Sequence, residues 1–375
     1  MGASVSPRRG RTVSRSEQAT RLATVLVVDD SVFMRRMISD MIERFPGFRV
    51  IGVAADGKEA LRRIEELDPD IVTLDIEMPR LDGFGVLERV MSSRPRPVVV
   101  FSAYTETGSV AALRALDLGA VDFVAKPSGP ISFDLGRVEA RLYEALLAAL
   151  AADIDALVAE RAPGARPVVA PESGVEAAVA LTASTGGPRA LSYVIGSLPA
   201  DIGAAVLIVQ HMPPGFTSTL AARLSGIASL PVAEASGGEC VLPNRVWIAP
   251  GNFHMRVRRI DGEVKITLDQ RESMWGTRPA ADALFPSVAE AYGERSVGVV
   301  LTGMGRDGAN GLAAIRAANG RTIAQDRASS VVYGMPGRAV EQGAAERVVP
   351  LEEIPGAIVE CLGEFSRQAP EEVDE

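Results

Sequence analysis

Several residue types that build common functional sites are scarce in this chain of 375 residues, which has only two histidines and two cysteines. Cys240 and Cys361 belong to no metal-binding or redox motif, so the pattern excludes a zinc site or disulfide scaffold and predicts two unpaired thiols. No apolar run reaches the roughly 18 residues of a membrane-spanning helix, and no signal peptide is visible. We therefore expect a cytoplasmic protein without direct membrane insertion.

Basic charge is also scarce relative to acidic charge. The chain has 39 lysine and arginine residues against 48 aspartate and glutamate residues, which gives a formal net charge of −9. Nucleic-acid binding requires a basic face, so no nucleic-acid partner is predicted. The only lysines are Lys58, Lys126 and Lys265. A lysine retained among so many arginines indicates a position that needs a compact ammonium group.

The length and the alternation of apolar strands with amphipathic helices predict two α/β domains. The predicted first-domain strands are Thr24–Val28, Arg49–Ala54, Ile71–Leu74, Pro97–Phe101 and Val121–Val124. Such βα repeats form a doubly wound parallel sheet. The second domain repeats the pattern, mostly parallel, and adds a β-hairpin of His254–Ile260 and Val264–Leu268 around Asp261-Gly262.

Changes in composition set the predicted domain boundaries. An Ala/Leu-rich helix from Arg137 to about Glu160 leads into a segment rich in proline, glycine and serine, which is typical of a linker. In chain order, the predicted regions are a disordered arm (1–22), the first domain (23–140), a helix and linker (141–175), the second domain (176–365) and an acidic tail (366–375).

Polar side chains follow four strands of the first domain. Asp29 and Asp30 follow the first strand, Asp75 the third, Ser102 the fourth and Lys126 the fifth. Because the carboxyl ends of parallel strands meet at one sheet edge, these groups should lie together. Three clustered carboxylates favour Mg²⁺, which could hold a phosphoryl group while Asp75 attacks phosphorus. Lys126 and the Ser102 hydroxyl would then bind the phosphate oxygens.

This arrangement resembles the response-regulator receiver domain over about residues 23–127. The motifs that carry the resemblance are Val27-Val28-Asp29-Asp30-Ser31, Leu74-Asp75-Ile76-Glu77-Met78-Pro79, Asp82-Gly83, Ser102-Ala103 and Lys126-Pro127. The resemblance implies a flavodoxin-like fold and phosphorylation of Asp75 by a histidine kinase. The implied Mg²⁺ ligands are Asp30, Asp75 and the backbone carbonyl of Glu77, with Asp29 nearby. The implied switch is Ser102 together with rotation of Tyr104.

Three chemically different groups follow strongly apolar segments of the second domain. Ser184, His211 and Asp307 each come after a segment that predicts a buried parallel strand. A hydroxyl, an imidazole and a carboxylate at the strand ends of one sheet are the nucleophile, base and orienting group of acyl-transfer hydrolysis. The glycine-rich turn at Ser184 would expose the hydroxyl and direct backbone N–H groups toward it, as an oxyanion hole requires.

Each of these groups has an alternative interpretation. The glycines after Ser184 could bind phosphate at a helix N-terminus, and His211 could be a core histidine. His254 is a rival base, within an alternating stretch typical of a sheet. The loop 303–308 matches a dinucleotide-binding fingerprint, but Asp307 would place a carboxylate beside the pyrophosphate. The complete set of three groups favours a hydrolase, with a chain order unlike that of α/β-hydrolases.

The second domain closely resembles the protein-glutamate methylesterases of bacterial chemotaxis. The motifs that carry the resemblance are Ala183-Ser184-Thr185-Gly186-Gly187-Pro188, Gln210-His211-Met212-Pro213, Ile248-Ala249-Pro250-Gly251, Leu301-Thr302-Gly303-Met304-Gly305-Arg306-Asp307-Gly308 and Gly334-Met335-Pro336. The resemblance implies that Ser184 is the nucleophile, His211 the general base and Asp307 the orienting carboxylate. It also implies that Thr185 and Met304 line the site and help to form the oxyanion hole.

The two resemblances together imply a phosphorylation-activated serine esterase of chemotaxis adaptation. Its substrates would be glutamate methyl esters and glutamines on the cytoplasmic helices of methyl-accepting chemoreceptors. Its second partner would be the histidine kinase of the chemosensory array. We expect no cofactor for hydrolysis and Mg²⁺ for receiver phosphorylation. Two alternatives stay open: a receiver-controlled interaction module without catalysis, and a methylesterase of a chemosensory-like pathway that does not control motility.

Overall fold

The computed structural model describes residues 21–103, 105–127, 135–158 and 176–368, and the side chains only as far as 365 at the carboxyl end. The predicted arm (except residues 21 and 22), the linker and residues 369–375 of the predicted acidic tail lie outside these residues, as does Tyr104. Residues 366–368 of that tail continue the last helix of the second domain, so the predicted boundary after residue 365 is wrong. No helix within the described ranges has the length and apolar character needed to cross a membrane.

The first domain is a five-stranded parallel sheet with helices on both faces. Its strands are β1 (Ala23–Val28), β2 (Phe48–Ala54), β3 (Ile71–Asp75), β4 (Val98–Ser102) and β5 (Asp122–Ala125). Its helices are α1 (Val32–Arg44), α2 (Gly57–Leu67), α3 (Gly83–Ser93), α4 (Glu106–Asp117), α5 (Leu135–Ala151) and α6 (Ile154–Val158). The strand order β2-β1-β3-β4-β5 is flavodoxin-like, and each strand lies within one residue of its predicted bounds. The predicted fold is therefore confirmed.

Helix-capping side chains explain where four helices of this domain begin. Each cap accepts a hydrogen bond from a first-turn N–H group, and the caps are Ser31, Asp56, Asp82 and Thr105. Replacement of such a cap by alanine typically costs about 1 kcal/mol. Because the helices begin soon after the strand ends, the polar loops stay short and their side chains remain at the sheet edge.

The helix predicted from Arg137 to about Glu160 is interrupted. The Asp153 N–H donates to the Val331 carbonyl of the second domain at 2.8 Å, and the Asp153 carboxylate accepts from the Ala156 N–H. These bonds replace a turn of helix, so α5 ends at Ala151 and α6 follows as a separate short helix. The predicted boundary at residue 140 falls inside α5, which packs on the sheet of the first domain through fully buried Leu142 and Leu146.

The second domain contains a seven-stranded parallel sheet and a separate hairpin. The strands are β6 (Ala177–Ala183), β7 (Ala204–Gln210), β8 (Val232–Glu234), β9 (Arg245–Ile248), the hairpin β10 (His254–Ile260) and β11 (Glu263–Asp269), β12 (Ser296–Val300), β13 (Arg321–Gln325) and β14 (Arg347–Val349). The helices are α7 (Gly187–Ser197), α8 (Phe216–Ser225), α9 (Ala281–Tyr292), α10 (Ala309–Ala317), α11 (Met335–Glu341) and α12 (Ile354–Gln368). Two short 3₁₀ helices cover Gly293–Arg295 and Leu351–Glu353.

The strand order places three site-bearing strands side by side. The order is β14-β13-β12-β6-β7-β9-β8, so β12, β6 and β7 are adjacent in the middle of the sheet. Every residue of these three strands is buried, which explains their continuous apolar runs. The predicted hairpin is also confirmed, and Asp261 and Gly262 both have the positive φ of its two-residue turn.

The two domains contact each other through α4 and β5 of the first and α8 of the second. The Phe123 and Phe216 rings stack with centroids 4.7 Å apart. Arg223 donates two hydrogen bonds to the Asp117 carboxylate, at 2.5 and 2.6 Å. This contact holds the β5–α5 edge of the first domain over the carboxyl ends of the central strands of the second.

Candidate functional site

Ser184, His211 and Asp307 line one cavity at the carboxyl ends of β6, β7 and β12. Ser184 directly follows β6 and His211 directly follows β7, whereas Asp307 lies in the glycine-rich loop between β12 and α10. Because these strands are parallel neighbours, residues distant in the chain reach the same space. The structure thus brings together the three groups that were predicted as nucleophile, base and orienting acid.

His211 and Asp307 are directly hydrogen-bonded. The His211 Nε2 lies 2.8 Å from the Asp307 Oδ2. The buried carboxylate also accepts bonds from the Ala281 and Asp282 N–H groups at the start of α9, at 2.6 and 2.9 Å. These N–H groups lack partners within the helix, so they fix the carboxylate in one orientation. With Nε2 donating to Asp307, the imidazole nitrogen that can accept a proton is Nδ1.

The loop at Ser184 is held by its backbone. The Ser184 N–H donates to the Thr302 carbonyl at 3.0 Å, and the Ser184 carbonyl accepts from the Gln210 side-chain amide at 2.9 Å. Gly186 has φ 78°, and a Cβ there would lie 2.8 Å from Val331. The Ser184 hydroxyl has no hydrogen-bond partner among the described residues. The hydrogen-bonded pair of His211 and Asp307 is therefore formed, and the Ser184 hydroxyl lies without a described partner in the wall of the same cavity.

The two further predicted site residues also line the cavity. Met304 is 36% exposed there, while Thr185 is buried and its hydroxyl donates to the Asp122 carboxylate of the first domain at 2.7 Å. His254, the rival base, is buried and bonded through Nε2 to the Glu272 carbonyl at 3.0 Å. Burial lowers the pKa of His254. It is not among the residues that line the cavity.

Five charged or aromatic side chains in the wall of this cavity were not predicted from the sequence as site residues: Arg141, Glu144, Trp275, Arg278 and Arg306. Arg141 and Glu144 belong to α5 of the other domain. In a helical sequence pattern, charged residues predict a face exposed to solvent, so these two gave no sign of a site. Burial raises the pKa of Glu144, and the charge of Arg141 opposes that rise. A tryptophan followed directly by a glycine was the one local signal in the sequence that could have indicated Trp275.

The acidic side chains of the first domain form the predicted cluster. Asp29, Asp30 and Asp75 each offer an oxygen within 4.8 Å of the others. The Lys126 Nζ lies 2.7 Å from Asp75 Oδ2 and 3.3 Å from Asp29 Oδ2. Burial raises the pKa of Asp75 to about 6, although the bond to Lys126 lowers it. Three hard oxygen ligands, with Asp30 open to solvent, fit the requirements of Mg²⁺.

The remaining predicted residues of this pocket have local partners. The Ser102 hydroxyl donates to the Gly108 carbonyl in α4 at 2.6 Å. The Glu77 N–H donates to the Asp75 carboxylate at 3.3 Å. Burial acts to lower the pKa of Lys126, but its bond to Asp75 and the neighbouring negative charges outweigh burial and raise it.

Comparisons with known proteins match both domains. The response regulator receiver domain profile matches residues 25–133, and the CheB methylesterase profile matches residues 179–358. The chain is 46% identical over 368 residues to the protein-glutamate methylesterase/protein-glutamine glutaminase of Symbiobacterium thermophilum, covering 93% of this chain and 99% of that protein. It is 42% identical over 350 residues to the protein of that name from Pyrococcus abyssi, with coverage of 91% and 94%.

A solved structure covers the second domain alone. The Thermotoga maritima CheB methylesterase catalytic domain is 41% identical and matches 50% of this chain and 99% of its own, with a TM-score of 0.49. The alignments with the relatives from Symbiobacterium thermophilum and Pyrococcus abyssi extend across both domains of this chain. Asp75 falls within the receiver match, and the cavity residues Ser184, His211 and Asp307 fall within the methylesterase match. The chain therefore belongs to the CheB family, in which a response-regulator receiver domain precedes a methylesterase domain.

Proposed function

We propose that this protein hydrolyses glutamate methyl esters on the cytoplasmic helices of chemoreceptors and deamidates glutamines there. The observation that carries the proposal is one cavity lined both by Ser184 and by the hydrogen-bonded pair of His211 and Asp307. The names of the relatives, which specify protein-glutamate methylesterase and protein-glutamine glutaminase, support the substrate class. The protein would act in the cytoplasm, where these helices lie.

The geometry supports an acyl-enzyme mechanism. The Ser184 Oγ attacks the γ-carbonyl carbon of the methylated glutamate while Nδ1 of His211 takes the hydroxyl proton. Asp307 stabilises the imidazolium through its bond to Nε2. His211 then gives the proton to the departing methoxide, and methanol leaves.

The developing oxyanion needs N–H donors within the cavity. In the described part of the chain, the backbone N–H groups of Thr185 and Met304 have no acceptor, and both residues line the cavity. They are the proposed oxyanion hole, which stabilises the tetrahedral intermediate more than the planar ester. His211 next activates a water that cleaves the acyl-serine and regenerates glutamate. With glutamine as substrate, the leaving group is ammonia.

The receiver domain is proposed to restrict access to this cavity. Arg141 and Glu144 of α5 form part of the cavity wall. Asp122, at the start of β5, accepts hydrogen bonds from both Arg141 and Thr185, the neighbour of the catalytic serine. A receptor helix of about 10 Å diameter must displace α5 before its ester reaches Ser184. Phosphorylation would therefore activate the enzyme by loosening this contact.

Phosphorylation of Asp75 by the histidine kinase has a direct structural route to the interface. The residues that would hold Mg²⁺ are Asp29, Asp30, Asp75 and the backbone carbonyl of Glu77, and the ion would supply charge neutralisation for phosphoryl transfer. To bind a phosphate oxygen, the Ser102 hydroxyl must release the Gly108 carbonyl of α4. The same helix carries Asp117, which pairs with Arg223 of the second domain. A shift of α4 would thus strain the domain contact.

Methanol release from methylated receptor, with and without acetyl phosphate, tests the proposed function. We expect the wild type to release methanol and Ser184→Ala to lose at least about 10³-fold in kcat. The other two hydroxyls that line the cavity, of Thr185 and Thr277, already donate to the Asp122 carboxylate and the Met274 carbonyl. Ser192→Ala is the matched control, since the Ser192 hydroxyl lies in α7 and donates to the Pro188 carbonyl.

Two results would contradict the proposal. Wild-type rates in Ser184→Ala would remove the nucleophile assignment. Receptor binding by the wild type without methanol release, even after phosphorylation, would instead support an interaction module without catalysis.

A further inference from the structure

Trp275 lies at the mouth of the catalytic cavity in a backbone conformation that disfavours it. Its φ is 55°, in the left-handed region that favours glycine, and its side chain is 48% exposed. Trp275 and Gly276 form the turn between Met274 and Thr277, whose backbones are joined by two hydrogen bonds. The Met274 N–H donates to the Thr277 carbonyl at 3.1 Å, and the Thr277 N–H donates to the Met274 carbonyl at 2.9 Å. Neither backbone preference nor burial accounts for a large aromatic ring here, and strained residues of this kind cluster at ligand sites.

The position of this ring is fixed by the network that fixes the catalytic acid. The Trp275 indole N–H donates to the Asp282 Oδ2 at 2.7 Å, and the other oxygen of Asp282 accepts from the Gly308 and Gly311 N–H groups. The Asp282 N–H in turn donates to Asp307. The indole is therefore held rigidly at a defined place beside the reacting groups, while one half of it remains in solvent.

One arginine at the same rim lacks a polar partner. Of the three arginines in the cavity wall, Arg141 donates to a receiver carboxylate and Arg278 donates to the Asn252 amide oxygen at 2.7 Å. Arg306 has its guanidinium carbon 5.1 Å from the centre of a Trp275 ring. Within the described residues it makes no side-chain hydrogen bond or ion pair. Stacking leaves the N–H groups at the guanidinium edge free to bind a carboxylate in its plane.

We propose that Trp275 and Arg306 select esters that lie next to an acidic side chain on the substrate helix. The indole would pack against the aliphatic part of the helix, and the Arg306 edge would bind the neighbouring carboxylate through charge-assisted hydrogen bonds. Residues four apart lie on one helix face, so an acid at that spacing can reach the rim while the ester enters the cavity. This inference rests on the proposed function and names a feature of its substrate.

Two helical peptides with one central glutamate γ-methyl ester test the inference on the full chain, activated with acetyl phosphate and Mg²⁺. One peptide carries glutamate four residues before and after the ester, and the other carries glutamine at both places. We expect wild-type kcat/KM to favour the acidic peptide about fivefold, mainly through KM, which is the scale of a partly exposed ion pair. In Arg306→Gln the ratio of the two kcat/KM values should fall to about one.

Two further variants complete the design. Trp275→Asn removes the indole, and asparagine tolerates the left-handed φ, so we expect a rise of about fivefold in KM for both peptides. Arg271→Gln is the matched control: it removes one exposed positive charge from the same loop region without lining the cavity, and should keep the wild-type ratio.

An Arg306→Gln variant that keeps the wild-type ratio would overturn the inference, and so would an equal loss in Arg271→Gln. An unchanged KM in Trp275→Asn would remove the indole from the proposed rim. In each of these cases the wild type still hydrolyses its ester, so the proposed function stands. If the wild type hydrolysed neither peptide nor methylated receptor, the proposed function would fail, and this inference with it.

Discussion

The acidic pocket and the catalytic cavity occupy the same place in their sheets, yet they are enclosed differently. In the receiver, Asp75 and Lys126 lie at the ends of β3 and β5, and the pocket belongs to one domain. In the methylesterase domain, the wall of the cavity includes Arg141 and Glu144 from the neighbouring domain. A pocket built within one domain keeps its form when the domains separate, whereas a shared cavity opens. A change in the position of the receiver domain can therefore alter the cavity without altering the acidic pocket.

The carboxylates of the two sites also differ in their hydrogen-bond and charge partners. Asp307 accepts hydrogen bonds from two backbone N–H groups and contacts His211. Asp75 faces Lys126 but also the charge of Asp29, and burial raises its pKa to about 6. The hydrogen bonds of Asp307 are thus all made within the protein, while the acidic pocket has excess negative charge that a divalent cation can neutralise.

The largest expected effect comes from the catalytic acid. Asp307→Asn should lower kcat for methanol release by about 10³-fold or more, because an amide cannot stabilise the imidazolium and favours the wrong tautomer of His211. Phosphorylation of Asp75 by acetyl phosphate should persist, since the two sites lie in different domains. Asp201→Asn, in an exposed loop, is the control. Near wild-type turnover in Asp307→Asn would show that the observed hydrogen bond has no catalytic role.

The receiver pocket was predictable because its groups follow strands directly. The positions of Asp29, Asp75 and Lys126 at strand ends fix their proximity as soon as five parallel strands are recognised. The same reasoning placed Ser184 and His211. It also placed Asp307 in the right loop, but the helix that anchors the carboxylate, α9, begins 26 residues earlier in the chain and was not visible as its partner.

The interdomain features could not be read from local patterns. The hydrogen bond of Thr185 to Asp122 and the stacking of Phe123 on Phe216 join residues far apart in sequence. Such contacts depend on the shape of two folded surfaces, whereas periodicity reports only which face of an element is apolar. The break between α5 and α6 has the same origin, because Asp153 bonds to Val331 of the other domain.

The next largest expected effect tests whether the contact between α4 and α8 restricts access to the cavity. Arg223→Glu places a carboxylate against Asp117 and replaces two hydrogen bonds with repulsion, so we expect the activity without phosphorylation to rise about five- to tenfold. Further stimulation by acetyl phosphate should shrink in proportion, because the contact that phosphorylation is proposed to weaken is already lost. Methanol release at equal enzyme concentration measures both quantities.

A second arginine-to-glutamate variant distinguishes the loss of the α4–α8 contact from a general effect of added negative charge. Arg295→Glu changes an exposed arginine of the same domain for which the structure records no side-chain partner within its described ranges. It should leave basal activity and stimulation as in the wild type. If Arg223→Glu had no more basal activity than Arg295→Glu, the α4–α8 contact would not restrict the cavity.

The smallest expected effect is a change in the free energy of unfolding. It tests whether the excess negative charge of the acidic pocket destabilises the folded state. Without Mg²⁺, Asp75→Asn should raise the free energy of unfolding near neutral pH by about 1–2 kcal/mol, because ionisation of the buried carboxylate opposes folding. The pKa of Asp75 is raised from 3.8 to about 6 in the folded state. The lost bond to Lys126 offsets part of the gain.

Because folding raises the pKa of Asp75, the stability difference between wild type and Asp75→Asn depends on pH. Below about pH 4 the carboxyl group is protonated in both states, so wild type and variant should differ little. Between about pH 4 and 6 the unfolded chain releases its proton first, so the wild type loses stability as pH rises and the gap widens. Above about pH 6 the gap should be constant. Thermal unfolding of the full chain in EDTA measures it, with exposed Asp40→Asn as control. If the difference in unfolding free energy between wild type and variant did not depend on pH, the folded state would not raise the pKa of Asp75.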